Sequence, residues 1–191
     1  MYETAYKVNK ENGRSVIELA LNNYNEFFHE WDNASYKRRD LHPELTAFLD
    51  LCSEEISMKK ELEIRLEIIN EKQDKDMENQ ILQSYENYYG FFMKQKKKKI
   101  RRNFRSSALL AVVGIAFIFV YSLLSYDLPD EIWYDVPLKG LYIGGYVFFW
   151  EALYNGYFGS KEMIYRNREL GRLRRALLRF TYPADQENQE K

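Results

Sequence analysis

The stretch from Lys94 to Tyr126 constrains this chain more than any other. It opens on Lys94-Gln-Lys-Lys-Lys-Lys-Ile-Arg-Arg-Asn-Phe-Arg105, eight bases and no acid, and runs without a turn residue into the uncharged segment Ser106–Tyr126. A helix rises about 1.5 Å per residue and the hydrocarbon core of a bilayer is about 30 Å thick, so 106–126 reads as a first transmembrane helix. Bases accumulate on the cytoplasmic side of such spans, which places the start of this one there. Lys94, Lys96, Lys97, Lys98, Lys99, Arg101, Arg102 and Arg105 are therefore expected to fix the orientation. They are also expected to contact anionic lipid, each charge near the surface contributing about 1 kcal/mol.

A second long segment, 140–160, carries one charge, Glu151, and reads as transmembrane helix 2. Between the two lies 127–139, with Asp127, Asp130, Glu131, Asp135, two prolines and Trp133, expected as an extracytoplasmic loop. The formal charge of −1 hides a segregation: residues 1–90 hold nineteen acids against eleven bases, while 161–180 hold seven bases against two acids. Both basic collars fall on one side of the pair of spans, which puts both termini in the cytoplasm. This pattern argues for membrane lipids as partners and against nucleic acid, whose binders spread bases over a domain surface. The N-terminus is polar, so no cleavable signal peptide is expected.

Ahead of the spans, 1–73 reads as a small cytoplasmic α+β head. Asn12-Gly13 signals a tight hairpin, with a strand expected before it near Thr4–Val8. In Ser15–Leu21, Ile17, Leu19 and Leu21 alternate with Val16, Glu18 and Ala20, the period of a strand. Asn23–Trp31 has helical aromatic spacing, and Pro43–Ser57 reads as a helix capped by Asp40 or His42. Glu61–Ile69 alternates again, its glutamates forming a solvated face. Two or three strands with two short helices on one face follow. Cys52 sits among apolar neighbours and reads as a small buried hydrophobe.

From Asp74 the period turns helical, with Met77, Ile81, Tyr85, Tyr88 and Phe92 in one stripe. The basic juxtamembrane stalk 74–105 is expected to continue into the first span as one helix of about 80 Å, so the chain is mainly α overall. Segment 161–182 is expected as a basic cytoplasmic helix whose Leu170, Leu173, Leu177 and Phe180 pack on that stripe. The last residues, 183–191, are polar and expected to be disordered.

The run Ser15-Val-Ile-Glu-Leu-Ala-Leu, the segments Asn25-Glu-Phe-Phe and Arg39-Asp-Leu-His-Pro-Glu-Leu-Thr-Ala-Phe-Leu, the strand Leu62–Ile68 and Gly140-Leu-Tyr-Ile-Gly-Gly-Tyr-Val-Phe-Phe-Trp150 carry a resemblance. Over 15–180 the chain resembles an uncharacterised family of bacterial two-pass inner-membrane proteins with a small N-terminal cytoplasmic α+β domain. The resemblance implies fold and topology and no activity. After the tryptophan the family carries a basic residue and a proline where this chain has Glu151-Ala152, so no charge role carries over there.

Glu151 is the candidate intramembrane carboxylate, placed near the centre of the second span and costing about 2.5–3.5 kcal/mol to insert; the alternative is a shorter segment ending near Trp150, with Glu151 at the inner interface. Gly140, Gly144 and Gly145, with Ser107, Ala111 and Gly114 on the first span, supply small faces that let helices approach closely, within the hairpin or between protomers. No paired histidines or cysteines, phosphate loop or nucleophile elbow appears, so no cofactor, metal or enzyme activity is expected. The reading is a non-enzymatic membrane protein, expected to be a homo-oligomer, whose head recruits, senses or regulates a cytoplasmic protein partner. Its alternative is a small homo-oligomeric channel or membrane-perturbing effector with Glu151 in the pore.

Overall fold

In the computed structural model of the chain, the described residues are 6–32, 39–127 and 132–183. The chain divides into two compact units, Met1–Lys94 with Asn167–Lys191, and Gln95–Arg166. The first is the head. Its strands β1 (Ser15–Leu21), β2 (Leu62–Ile68) and β3 (Leu177–Thr181) form one parallel sheet in the order β1-β2-β3. Helix α1 (Pro43–Glu55) links the first two strands. Its start follows from Pro43 in the first turn and from His42, whose Nδ1 accepts the Glu44 N–H at 3.3 Å.

Parallel neighbours need crossovers, and two right-handed crossovers stepping the same way across a sheet lay their helices on one face. The burial follows that rule. Ile17, Leu62, Ile64, Leu66 and Ile68 form one core with Leu45 and Leu49 of α1, Ile81, Tyr85 and Tyr89 of α2 (Lys75–Asp127), and Leu170 and Leu173 of α4 (Gly159–Arg174). The opposite face keeps Glu18, Arg65 and Arg179, a charged ladder joined by Arg65–Glu18 at 3.7 Å and Arg65–Glu63 at 2.9 Å.

Several expectations are corrected. The strand expected near Thr4–Val8 falls partly outside the described residues, and Val8 forms a single antiparallel bridge to Ser15. The sheet's third strand is Leu177–Thr181, where a helix through Phe180 was expected. The basic helix ends at Arg174, because Leu177, Leu178 and Phe180 fit the edge of β2 in strand register. The aromatic run yields only a 3-10 turn, Tyr24–Phe27, since Phe28 is extended and bridges Leu41. The turn at Gly13 forms as read, with φ +70°.

The expected stalk stripe is part of the head's core. Ile81, Tyr85 and Tyr89 are buried, and the Tyr85 hydroxyl donates to the Leu173 carbonyl at 2.7 Å. Beside them Arg172 donates to the carbonyls of Ile56 (2.9 Å), Ser57 (2.7 Å) and Ser53, satisfying acceptors that the C-terminal end of α1 leaves unpaired. A β-carbon on Gly171 would lie 3.4 Å from the Met93 methyl, so the chain leaves and re-enters the head at neighbouring points.

The second unit holds the rest of α2, then α3 (Ile132–Leu153), π-helical Tyr154–Phe158 and the start of α4. Residues 132–139, expected in a loop, are helical, with Pro137 inside α3. Among the described residues one helix, Lys75–Ser125, is long and apolar enough to cross a membrane, and 11% of its apolar window is buried. The α3 segment is less apolar, holding Asp135, Lys139, Glu151, three glycines and several tyrosines.

Because the head's sheet draws on both ends of the chain, residues 1–73 alone are expected to stay unfolded. Residues 1–94 joined to 167–191 by a short Gly/Ser linker are expected to give a soluble domain with a single cooperative thermal transition. Circular dichroism of the two proteins checks this.

Candidate functional site

Three places gather polar or charged side chains. The first is Glu63, read from the sequence as solvated. It is instead fully buried, because the Asn9–Arg14 turn folds over the start of β2. Asn9 and Asn12 donate their side-chain amides to Glu63 Oε2 at 2.7 and 2.8 Å, Arg65 Nε donates to Oε1 at 2.9 Å, and Arg179 Nε lies at 3.9 Å. Burial opposes ionisation, yet these donors outweigh it and hold the carboxyl below the usual glutamate range. The cluster is closed and balanced, which suits a structural carboxylate.

The second place is the end of the second unit that carries the basic collar. There the π-helical turn Tyr154–Phe158 loosens the backbone ladder. Asn103 of α2 donates Nδ2 to the Asn155 carbonyl and to Ser160 Oγ, both at 2.8 Å. Ser107 is buried against Gly156. Further along, α2 and α3 touch backbone to backbone: a β-carbon on Gly114 would lie 2.7 Å from the Gly145 carbonyl, and one on Gly145 would lie 2.8 Å from the Gly114 carbonyl. Gly144 only brushes Phe117 at 3.8 Å, Gly140 has nothing within 4 Å, and Ala111 is half-buried. The close approach thus uses Gly114 and Gly145, not the Gly140/Gly144 pair.

Glu151 is exposed and accepts a hydrogen bond from Asn155 Nδ2 at 2.7 Å. It lies between Gly145 and Gly156, and so opposite the Ser107–Gly114 portion of α2. That is roughly 8 Å along the helix from Arg105, about midway between the basic collar and the middle of the apolar run. The collar itself is open: Lys94, Lys97, Lys98, Lys99, Arg101, Arg102 and Arg105 are exposed, and Lys96 is half-buried.

The third place is a cleft of about 540 Å³ in the head, at the end of β1 and the start of α1. Leu19, Leu21 and Leu45 form its apolar walls. Glu26, Glu30 and Glu44 line it with Arg39 and His42. Glu26 is held below the usual range by hydrogen bonds from the Asn22 side chain and backbone. The Arg39 guanidinium lies 5.4 Å over the Phe28 ring and reaches the His29 carbonyl. Sequence reading missed this cleft, since its walls come from three separate segments. It also missed Asn103 and Asn155, whose signal was an amide at the end of each apolar run.

No group of three or more His, Cys, Asp or Glu placed to hold a metal occurs among the described residues. No family model, curated protein or solved structure matches the chain.

Glu63 sets a pH dependence. A carboxyl depressed in the fold stabilises above its unfolded pKa, about 4.3, and that contribution is lost as pH falls through the folded value. Glu63→Gln is expected to cost about 1–3 kcal/mol at pH 7 and to flatten the acid limb of stability, read by denaturant melts from pH 7 to 3. In the second unit, Gly114→Val is expected to destabilise by about 1–3 kcal/mol, because backbone cannot move aside as a side chain can. Gly140→Ala is expected to stay within about 0.5 kcal/mol of the parent in detergent thermal melts.

Proposed function

We propose that this chain is a non-enzymatic two-pass protein of the bacterial cytoplasmic membrane whose cytosolic head recruits a protein partner. The pairing of β2 with β3 carries the topology. Helix α2 lies between these strands in the chain, and its apolar stretch is left largely unburied, a surface that lipid would cover. Two strands of one sheet stand on one side of a bilayer, so a chain that crosses in α2 crosses back before β3. The α3 segment is the return crossing, with Trp133 at the far interface.

The exposed collar Lys94–Arg105 supports a cytosolic head. The head's acidic balance and open charged sheet face support recruitment. Within the bilayer the partners are lipids and further copies of the chain.

Thiol labelling of intact cells tests the topology in a Cys52→Ser background. Asp135→Cys is expected to react with an impermeant maleimide from outside, and Lys59→Cys and Glu162→Cys only after permeabilisation. Outside labelling of either of the latter two overturns the two-pass reading. For recruitment, inverted vesicles bearing the full chain are expected to retain a defined cytosolic protein that vesicles bearing Leu66→Asp lose; equal retention sinks that role.

A further inference from the structure

Glu151 and the last base of the collar belong to the same unit, and both point away from the seam between its helices. On α2 that seam is marked by Asn103, which donates to the Asn155 carbonyl and to Ser160 Oγ at 2.8 Å, and by Ser107, which lies against Gly156. Arg105 is two residues from each, about 200° around a helix of 3.6 residues per turn. It stands on the far side of α2 and is exposed. On the return leg the seam is marked by Gly145, which meets Gly114, and by buried Ala152. Glu151 stands about 120° from Gly145 and about 100° from Ala152, and it too is exposed. The two side chains of one chain are therefore turned apart. The hydrogen bond from Asn155 to Glu151, at 2.7 Å, comes from a neutral amide and brings no opposite charge.

We propose that Glu151 of one copy pairs with Arg105 of a neighbouring copy, so that the chain assembles into a ring through the outer faces of α3 and α2. An ionisable group in an apolar run needs a partner, and such groups pair with one another. Copies that share one bilayer orientation stand at one level, so a neighbour's Arg105 lies about 8 Å along the axis from Glu151. An arginine stem lies along apolar surface while its head reaches the carboxylate, and guanidinium and carboxylate join by two charge-assisted hydrogen bonds. No acid occurs in 94–105 to compete for Arg105. The surroundings match. Leu109 and Val112 continue the Arg105 face of α2, Val147 and Tyr154 continue the Glu151 face of the return leg, and all four are more than half exposed. The two faces look outward from different helices and cannot both meet one neighbour. The contact is thus heterologous, and it repeats from copy to copy until a ring closes.

The pairing rests on the two-pass reading but is read out separately. The probe is the full chain itself: a tagged and an untagged copy are co-expressed and extracted in mild detergent, and recovery of the untagged copy on the tag is measured. Parent copies are expected to co-purify. Glu151→Arg with itself, and Arg105→Glu with itself, are expected to lose at least about ten-fold of that recovery, because like charges then meet. Tagged Glu151→Arg with untagged Arg105→Glu is expected to regain it, since every contact between the two again joins opposite charges. Only pairing between chains gives that regain. Glu151→Gln keeps the shape of the side chain and is expected to lower recovery about ten-fold, so the outcome does not hang on the charge-reversed variants folding. Parent copies that do not co-purify, a mixed pair no better than either variant alone, or Glu151→Gln equal to the parent overturns the proposal; the last is the result for a carboxylate met only by lipid or water. Thiol labelling that supports two passes while parent copies fail to co-purify removes the pairing alone.

Discussion

Parallel pairing of β2 with β3 governs this molecule. The register runs from Glu63 against Leu177 to Glu67 against Thr181, and everything between those strands is one crossover connection. In an ordinary crossover a single helix returns the chain to the start of the next strand. Here α2 begins that return, and α4 completes it only after the 95–166 unit. Closure entropy grows slowly with loop length, by about 0.6 kcal/mol per doubling, so even a large insertion is tolerated if its ends meet. They do meet. Tyr85 bonds the Leu173 carbonyl, the Arg174 guanidinium lies against Gly90, and Met93 covers Gly171.

Two buried ions reinforce that closure from opposite faces of the sheet. Arg172 reaches the last carbonyls of α1, so α4 is tied to a helix far from it in sequence. Glu63 gathers donors from the N-terminal turn and from β2, with Arg179 of β3 close by. A buried ion that keeps all its partners is close to neutral for stability, whereas removing one partner costs several kcal/mol. Both clusters therefore specify which segments assemble more than they add net stability. Tyr182 plays a similar part just after β3, sharing its hydroxyl with Tyr24 and donating to Glu78 at the start of α2.

What was legible in the sequence is what local pattern encodes. Period two gave β1 and β2 to within a residue, Pro43 and His42 gave the start of α1, and helical period with no breaker gave one helix over 74–126, observed as Lys75–Asp127. What was not legible depends on contacts between distant residues. Leu177, Leu178 and Phe180 continue the helical spacing of α4 well enough, and only the edge of β2 makes them a strand. Glu63 looks like Glu61 and Glu67 until the Asn9–Arg14 turn is laid over it. Of the small residues the sequence offered for helix packing, Gly114 and Gly145 make the close approach and Gly140 does not, because the facing helix alone decides which glycine is needed.

The same distinction bears on Glu151. Taken along the chain it is a lone carboxylate in an apolar run, a costly thing at mid-bilayer. In three dimensions it stands beside Asn155, one turn from the π-helical segment, opposite the part of α2 that adjoins Arg105. Asn103, Asn155 and Ser160 close the remaining polar backbone at the same level, so the apolar part of the unit begins just beyond them. The polar groups thus form a graded border on the side of the basic collar. The tight Gly114–Gly145 contact lies on the apolar side of that border, where the two helices meet backbone to backbone.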